Sequence, residues 1–227
     1  MNSGIWPGLY RLCRFAARQT FQRLYRLQVE GLEFMPSEGP VILCPKHQRW
    51  EDIPVVGLAW PRPLYYIAKA ELFRYPVVRE LLRALGGVPV NRGSPWTTLS
   101  SFRLLVPLLK QRAHIVVFPE GTYVRGQVGP GKPGLLQWLL KWQAAQGLKS
   151  LSFVPMGISY VPQCPGYQVT VRLGPPIIAS AAEQTASLVR TLMAQIARLS
   201  GTEAALCPDT PAGQLFPRKS TGFLQIY

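Results

Sequence analysis

Residues 40–60 read PVILCPKHQRWEDIPVVGLAW. Val41–Cys44 is a short unbroken apolar run between prolines, which suits a strand buried on both faces. The second half opens on Glu51 and Asp52, acids favoured at a helix N-terminus, and then turns apolar. Pro54 falls where a first helical turn tolerates it. Strand, polar turn and helix in immediate succession are the start of an α/β unit. The turn holds His47, one of only two histidines in the chain.

Working outward, the same alternation recurs. LQVEGLEFMP (27–36) reads as strand and turn, and PLYYIAKAELF (63–73) as a strand running into a turn. VVRELLRALGG (77–87) is a helix ended by glycine, and VPVNR (88–92) a short strand. TTLSSFRLLVPLLKQR (97–112) reads as one helix kinked at Pro107, and AHIVVFPEG (113–121) as a strand ending in a turn. GLLQWLLKWQAAQG (134–147) is a helix closed by Gly147. LSFVPMGISY (151–160) and YQVTVRLG (167–174) are strands, and AAEQTASLVRTLMAQIARLS (181–200) is the clearest helix. The expected fold is α/β, a central, mostly parallel sheet flanked by helices.

Residues 1–27 read differently. At 100° per residue Arg11, Arg14, Arg18 and Arg26 gather on one side, with Leu9, Leu12, Cys13, Ala16 and Leu24 opposite. A basic amphipathic helix of this kind is suited to lie in a membrane interface, and Trp6 and Tyr10 fit that setting. The alternative is a helix packed on its own domain with a solvated basic face. Three segments are therefore expected: the helix over 1–27, one domain over 28–200, and an irregular tail over 201–227 rich in Pro, Gly, Ser and Thr.

The net charge of +14 calls for an anionic partner. Nucleic acid is a poor match, because the aromatics sit inside apolar runs and no helix-turn-helix or zinc pattern occurs. The four cysteines are scattered without a C-x-x-C pair, which suggests neither a metal site nor a disulfide framework, and reduced thiols inside a cell are expected. No run of about 18 apolar residues suggests a bilayer-spanning segment, and the arginine-studded N-terminus does not read as a signal peptide. No serine-nucleophile motif appears, since Gly157-Ile158-Ser159-Tyr160-Val161 fails at its last position.

Four stretches can carry chemistry. His47 and Asp52 cannot meet on one continuous helix, but they can if His47 lies in the turn and Asp52 in the first helical turn, giving a base with its orienting carboxylate. Spacing alone equally allows a surface histidine beside a helix N-terminus. Glu120-Gly121-Thr122 ends a strand, where glycine lets backbone N–H groups approach an anion. Glu120 is the lone acid between Leu81 and Ala182. Arg92, just past a short strand, has the fork that clamps a phosphate. GPGKPG (129–134) places Lys132 in a glycine-rich loop without the P-loop pattern.

Together these resemble the glycerophospholipid acyltransferase family, in particular the 1-acylglycerol-3-phosphate acyltransferases. His47 to Asp52 is similar to its H-x-x-x-x-D motif, and Lys69-Ala70-Glu71-Leu72-Phe73 followed by GGVPVNR to its second block. Phe118 to Thr122 matches F-P-E-G-T, and Val154-Pro155-Met156-Gly157 the apolar V-P-x-G. The resemblance covers roughly residues 28–175. Tyr123 stands where the family usually has arginine, with Arg125 two residues on, and Lys46 stands where it often has asparagine.

The resemblance implies acyl transfer from acyl-carrier protein or acyl-CoA to the free hydroxyl of 1-acylglycerol-3-phosphate, giving phosphatidic acid. In that scheme His47 is the base and Asp52 its orienter. Arg92, with help from the Glu120-Gly121-Thr122 turn and from Arg125 and Lys132, would receive the acceptor phosphate, and Glu120 itself would bond the glycerol hydroxyl or fix Arg92. Lys69 would serve the donor or the oxyanion, and Val154 and Pro155 would line the acyl path. Neither cofactor nor metal is expected. The expected partners are membrane lipids and the acyl carrier, not nucleic acid, and the expected location is peripheral or monotopic on the cytoplasmic face of a membrane. An acyltransferase for another lysolipid or an amine-containing acceptor is the competing expectation.

Overall fold

The structure, a computed structural model, describes residues 4–91, 95–147 and 150–202. Its centre is strand β2 (Val41–Pro45), every residue of which is buried. It lies between β5 (His114–Val116) and β6 (Leu151–Pro162), parallel to both. The other strands are β1 (Tyr25–Glu30), β3 (Leu64–Lys69), β4 (Gly87–Val90), β7 (Tyr167–Leu173) and β8 (Ile177–Ala179). Among the described residues the order is β1-β7-β6-β2-β5-β3-β4, with β8 pairing β6. β7 and β8 run antiparallel to β6, and the remaining pairs are parallel. The mostly parallel α/β sheet expected from sequence is therefore the one observed.

Alternation along β2 sends its side chains to two cores. Ile42 and Cys44 join Leu136, Leu139 and Leu140 of α6 (Pro133–Ala145) and Leu188, Leu192 and Ile196 of α7 (Thr185–Ser200). Val41 and Leu43 join Val55, Val56 and Ala59 of α2 (Asp52–Ala59), with Trp60, Val154 and Val169. Helices on both faces explain why the central strands read as continuous apolar runs. Gly157 in β6 has a packing role: a Cβ there would lie 2.2 Å from the carbonyl carbon of Leu199, so α7 rests directly on the strand.

Three expectations are corrected. The N-terminal helix α1 (Pro7–Leu24) stops before residue 27, and Tyr25–Glu30 join the sheet edge beside β7. The reason is local: Tyr25, Leu27 and Val29 alternate inward, a period of two. The helix expected over 97–112 is two, α4 (Pro95–Phe102) and α5 (Val106–Lys110), joined by a 3₁₀ turn at Arg103–Leu105. Pro107 cannot donate back to Arg103, so the chain restarts its helix there instead of bending through. Strand β8 was not foreseen, being three residues long behind Gly174-Pro175-Pro176.

Helix α1 lies against the domain. Phe21 packs on the β2–α2 core, the Tyr10 hydroxyl accepts from Leu64 N–H, and Arg14 donates to the carbonyls of Leu58 and Pro61 at 3.4 Å. Arg14, assigned to the solvent-facing basic side, thus caps the end of α2, while Leu12 and Phe15 point outward, each 62% exposed. Helix α3 (Pro76–Ala84) also turns apolar side chains to solvent, among them Val77, Val78 and Leu81. Residues 203–227, which include nearly all of the tail expected to be irregular, lie outside the described residues.

Candidate active site

The parallel strands end on one edge of the sheet, where sites of α/β folds assemble. His47 leaves β2 there, and Asp52 opens α2 a few residues on. His47 Nδ1 lies 3.2 Å from Asp52 Oδ2. Asp52 is fully buried, and the same Oδ2 accepts the N–H groups of Gln48 at 2.6 Å and Arg49 at 2.7 Å. Its Oδ1 accepts the Tyr160 hydroxyl at 2.7 Å. An ionised carboxylate only accepts, so Nδ1 carries the proton in this contact and Nε2 is left as the basic nitrogen.

Aromatic rings hold the imidazole flat. Phe118 stacks on it with centroids 3.7 Å apart, and Tyr123 covers it from 4.3 Å. Tyr160 reaches Asp52 from β6, and the Arg49 guanidinium lies over the rings of Tyr160 and Tyr167, 4.4 and 4.8 Å from their centroids. Burial, reinforced by the Asp52 charge, pushes the Tyr160 phenol well up, and that of Tyr123 is raised for the same reasons. Tyr160 and Arg49 did not stand out in the sequence. Tyr160 is 108 positions from Asp52, and no local pattern announces the contact.

Glu120 corrects the expectation that it faces the acceptor. It is 2% exposed and turned inward. Lys46 Nζ donates to its Oε1 at 2.8 Å and Oε2 at 2.9 Å, His47 N–H to Oε2 at 2.9 Å, and Gly129 N–H to Oε1 at 2.8 Å. With both oxygens engaged, it braces the loop and has no face toward a ligand. Val154 and Pro155 lie on the strand beyond β2. Both are buried within β6, Val154 in the sheet core, and they pair with Leu43 and Cys44 of β2.

The turn after β5 closes on a hydrogen bond from Gly121 N–H to the Phe118 carbonyl at 3.0 Å. Gly121 sits at φ +69°, a left-handed conformation suited to glycine, and Thr122 is exposed. The Lys132 side chain crosses this turn: a Cβ at Gly121 would meet its Cδ at 2.9 Å and Nζ at 3.2 Å. Arg125 is exposed on the same loop. Lys69, half-buried at the end of β3, shares the sheet edge but lies two strands from β2. Arg92 is outside the described residues. A surface groove of about 600 Å³, lined by Arg103, Val106, Pro107, Trp138, Lys141 and Trp142, includes none of these groups.

His114 is structural, as its place in an apolar strand suggested. Trp60 Nε1–H donates to its Nδ1 at 2.8 Å, and Arg62 stands 3.4 Å from its Nε2. Burial first, and Arg62 second, hold its pKa down to about 4.

The carboxyl edge of the parallel sheet thus carries a histidine backed by a buried carboxylate. Comparison with known proteins gives the class. The family model described as Acyltransferase matches residues 26–159, and the chain belongs to that family. It is 31% identical over 112 residues to the chloroplastic 1-acyl-sn-glycerol-3-phosphate acyltransferase LPAT1 of Arabidopsis thaliana, covering 48% of this chain and 31% of the relative. The 1-acyl-sn-glycerol-3-phosphate acyltransferase of Bacillus subtilis is 27% identical over 115 residues, 50% of this chain and 57% of that one. A lyso-ornithine lipid O-acyltransferase of Pseudomonas aeruginosa is 33% identical over 88 residues, 39% of this chain and 33% of the relative. The matches thus span from about a third to under three fifths of these relatives' lengths. The fold is shared with the crystal structure of the 1-acyl-sn-glycerophosphate acyltransferase PlsC of Thermotoga maritima. The TM-score is 0.62 at 24% identity, over 89% of this chain and 81% of that one.

Proposed function

We propose that this chain transfers an acyl group from acyl-carrier protein or acyl-CoA to the free hydroxyl of 1-acylglycerol-3-phosphate, by direct general-base catalysis. The observation that carries the reading is the His47–Asp52 contact at 3.2 Å; in this reading Nε2 is the base. The acceptor hydroxyl gives its proton to His47 Nε2 as its oxygen attacks the thioester carbonyl. The imidazolium is stabilised by Asp52. The tetrahedral intermediate collapses, the C–S bond breaks, and the leaving thiolate takes the proton from His47. Phosphatidic acid and a free thiol result, and no acyl-enzyme is formed.

Lys132, with the Gly121–Thr122 turn beneath it, supports binding of the acceptor phosphate, joined by Arg125 and by Arg92. Lys69 serves the donor or the oxyanion. No cofactor or metal takes part. Among the described residues no helix is long and apolar enough to cross a membrane. The proposed location is peripheral, on the cytoplasmic face, with Leu12 and Phe15 of α1 entering the interface beside Arg11 and Arg18. Flotation with anionic liposomes at low salt tests this, and a chain that stays at the bottom of the gradient refutes it.

A second reading concerns the acceptor. Tyr123 places a phenol against His47 where the resemblance leads one to expect arginine, and one relative is named for acylating lyso-ornithine lipid. Both readings are tested by thioester consumption with lysophosphatidic acid and with lyso-ornithine lipid, for the wild type and His47→Ala. Phosphatidic acid made by the wild type and lost in His47→Ala supports the first reading. Turnover confined to the second acceptor moves the substrate and keeps the mechanism. Equal activity of both proteins refutes the base assignment.

A further inference from the structure

We infer that Lys46 is a positioning residue for His47, acting through its buried ion pair with Glu120 to clamp the histidine backbone on both sides. The inference rests on the general-base reading of His47. The Lys46 and Glu120 side chains are each 1% exposed, and burying such a pair is costly unless every group is satisfied. Here they are. Glu120 Oε2 takes the N–H of His47 at 2.9 Å. Lys46 Nζ donates to the His47 carbonyl at 3.2 Å and to the Val124 carbonyl at 2.6 Å. Val124 N–H returns to the His47 carbonyl at 2.9 Å.

One ion pair therefore fixes both backbone polar groups of His47 and joins them to the segment that carries Tyr123. With the peptide held, only the two side-chain torsions of His47 remain free. Phe118, Tyr123 and Asp52 close on the ring itself. A general base must hold its nitrogen within a fraction of an ångström of the acceptor oxygen, so a clamp on the backbone acts directly on turnover. Neither Lys46 nor Glu120 is turned toward a substrate, and their effect passes through His47.

The test compares wild type with Lys46→Met and with the double variant Lys46→Met/Glu120→Gln. The single variant strands a buried carboxylate and is expected to lose stability. The double variant removes both charges at nearly constant volume, and its amide oxygen still accepts one of the two N–H groups, so it is expected to be more stable than the single variant. Its kcat is nonetheless expected to fall by roughly 100-fold, the scale of a misplaced catalytic group, with KM for donor and acceptor unchanged.

The chain holds two histidines, so its ¹⁵N imidazole spectrum separates His47 from His114. The His47 signals are expected to move toward a mixture of tautomers in the double variant while those of His114 stay in place. A double variant with wild-type kcat and an unmoved His47 spectrum overturns the inference, as does one that cannot fold, which would assign the pair to stability alone. Absence of turnover by the wild type would overturn the acyl-transfer reading only, because the imidazole spectrum reports the clamp without substrate.

Discussion

Tyr160→Phe removes one oxygen and keeps the ring on which Arg49 rests. The Tyr160 hydroxyl is the donor to Asp52 Oδ1 at 2.7 Å, and Asp52 has no contact with solvent. A hydrogen bond to a buried charge contributes about 1.5–3 kcal/mol, and no water reaches the vacated oxygen without opening the site. The expected loss of folding stability is therefore about 2 kcal/mol. Catalysis should suffer less. Oδ2, the oxygen that faces His47, keeps its bonds from Gln48 and Arg49 N–H, so the imidazole stays aligned. A fall in kcat of about tenfold corresponds to 1.4 kcal/mol and is the upper bound of what Oδ1 alone should supply. Urea denaturation and steady-state thioester assays on the same preparation measure the two effects. A variant as stable as wild type, or one with kcat down a thousandfold at full stability, would refute this division between the two carboxylate oxygens.

Gly157→Ala should be among the most destabilising single substitutions in the chain, because its Cβ would lie 2.2 Å from backbone of α7; a thermal midpoint within error of wild type would contradict that packing. His114 supplies a pH dependence. Its pKa drops from 6.5 to about 4 on folding, so the unfolded chain binds the proton first and stability is lost as pH falls through that window. The shift corresponds to about 3 kcal/mol, reduced to roughly 2 by solvent screening around the exposed Arg62. The stability difference between wild type and His114→Asn should shrink by that amount between pH 7 and pH 4, and a constant difference would refute the assignment.

What could be read in the sequence was local. The apolar run of β2, the turn after it and the acids opening α2 are contiguous, so the sheet's centre and the approach of His47 to Asp52 follow from a few residues. Glu120 was conspicuous for the opposite reason, as a lone acid in a basic stretch, and that view placed it beside a ligand. Its partner Lys46 is 74 positions away, and only the adjacency of β2 and β5 brings them together. The motif at Val154 and Pro155 states spacing, and only the pairing of β6 with β2 shows that both residues are buried. Tyr25–Glu30 alternates as a strand should, but the helical run of arginines before it masked the boundary.

The pairing of β1 with β7 sets an order of events for the chain as it is made. Gln28 and its partner Gln168 are 140 positions apart, so the first strand has no neighbour until nearly all of the domain has left the ribosome. Loop closure over that distance is slow. The strand that flanks β2 and carries Tyr160 also arrives late. The groups that hold His47 itself, Lys46, Phe118, Glu120 and Tyr123, are all made before β6, whereas the hydroxyl that holds Asp52 Oδ1 comes only with Tyr160, so the two halves of the pair gain their supports at different points along the chain.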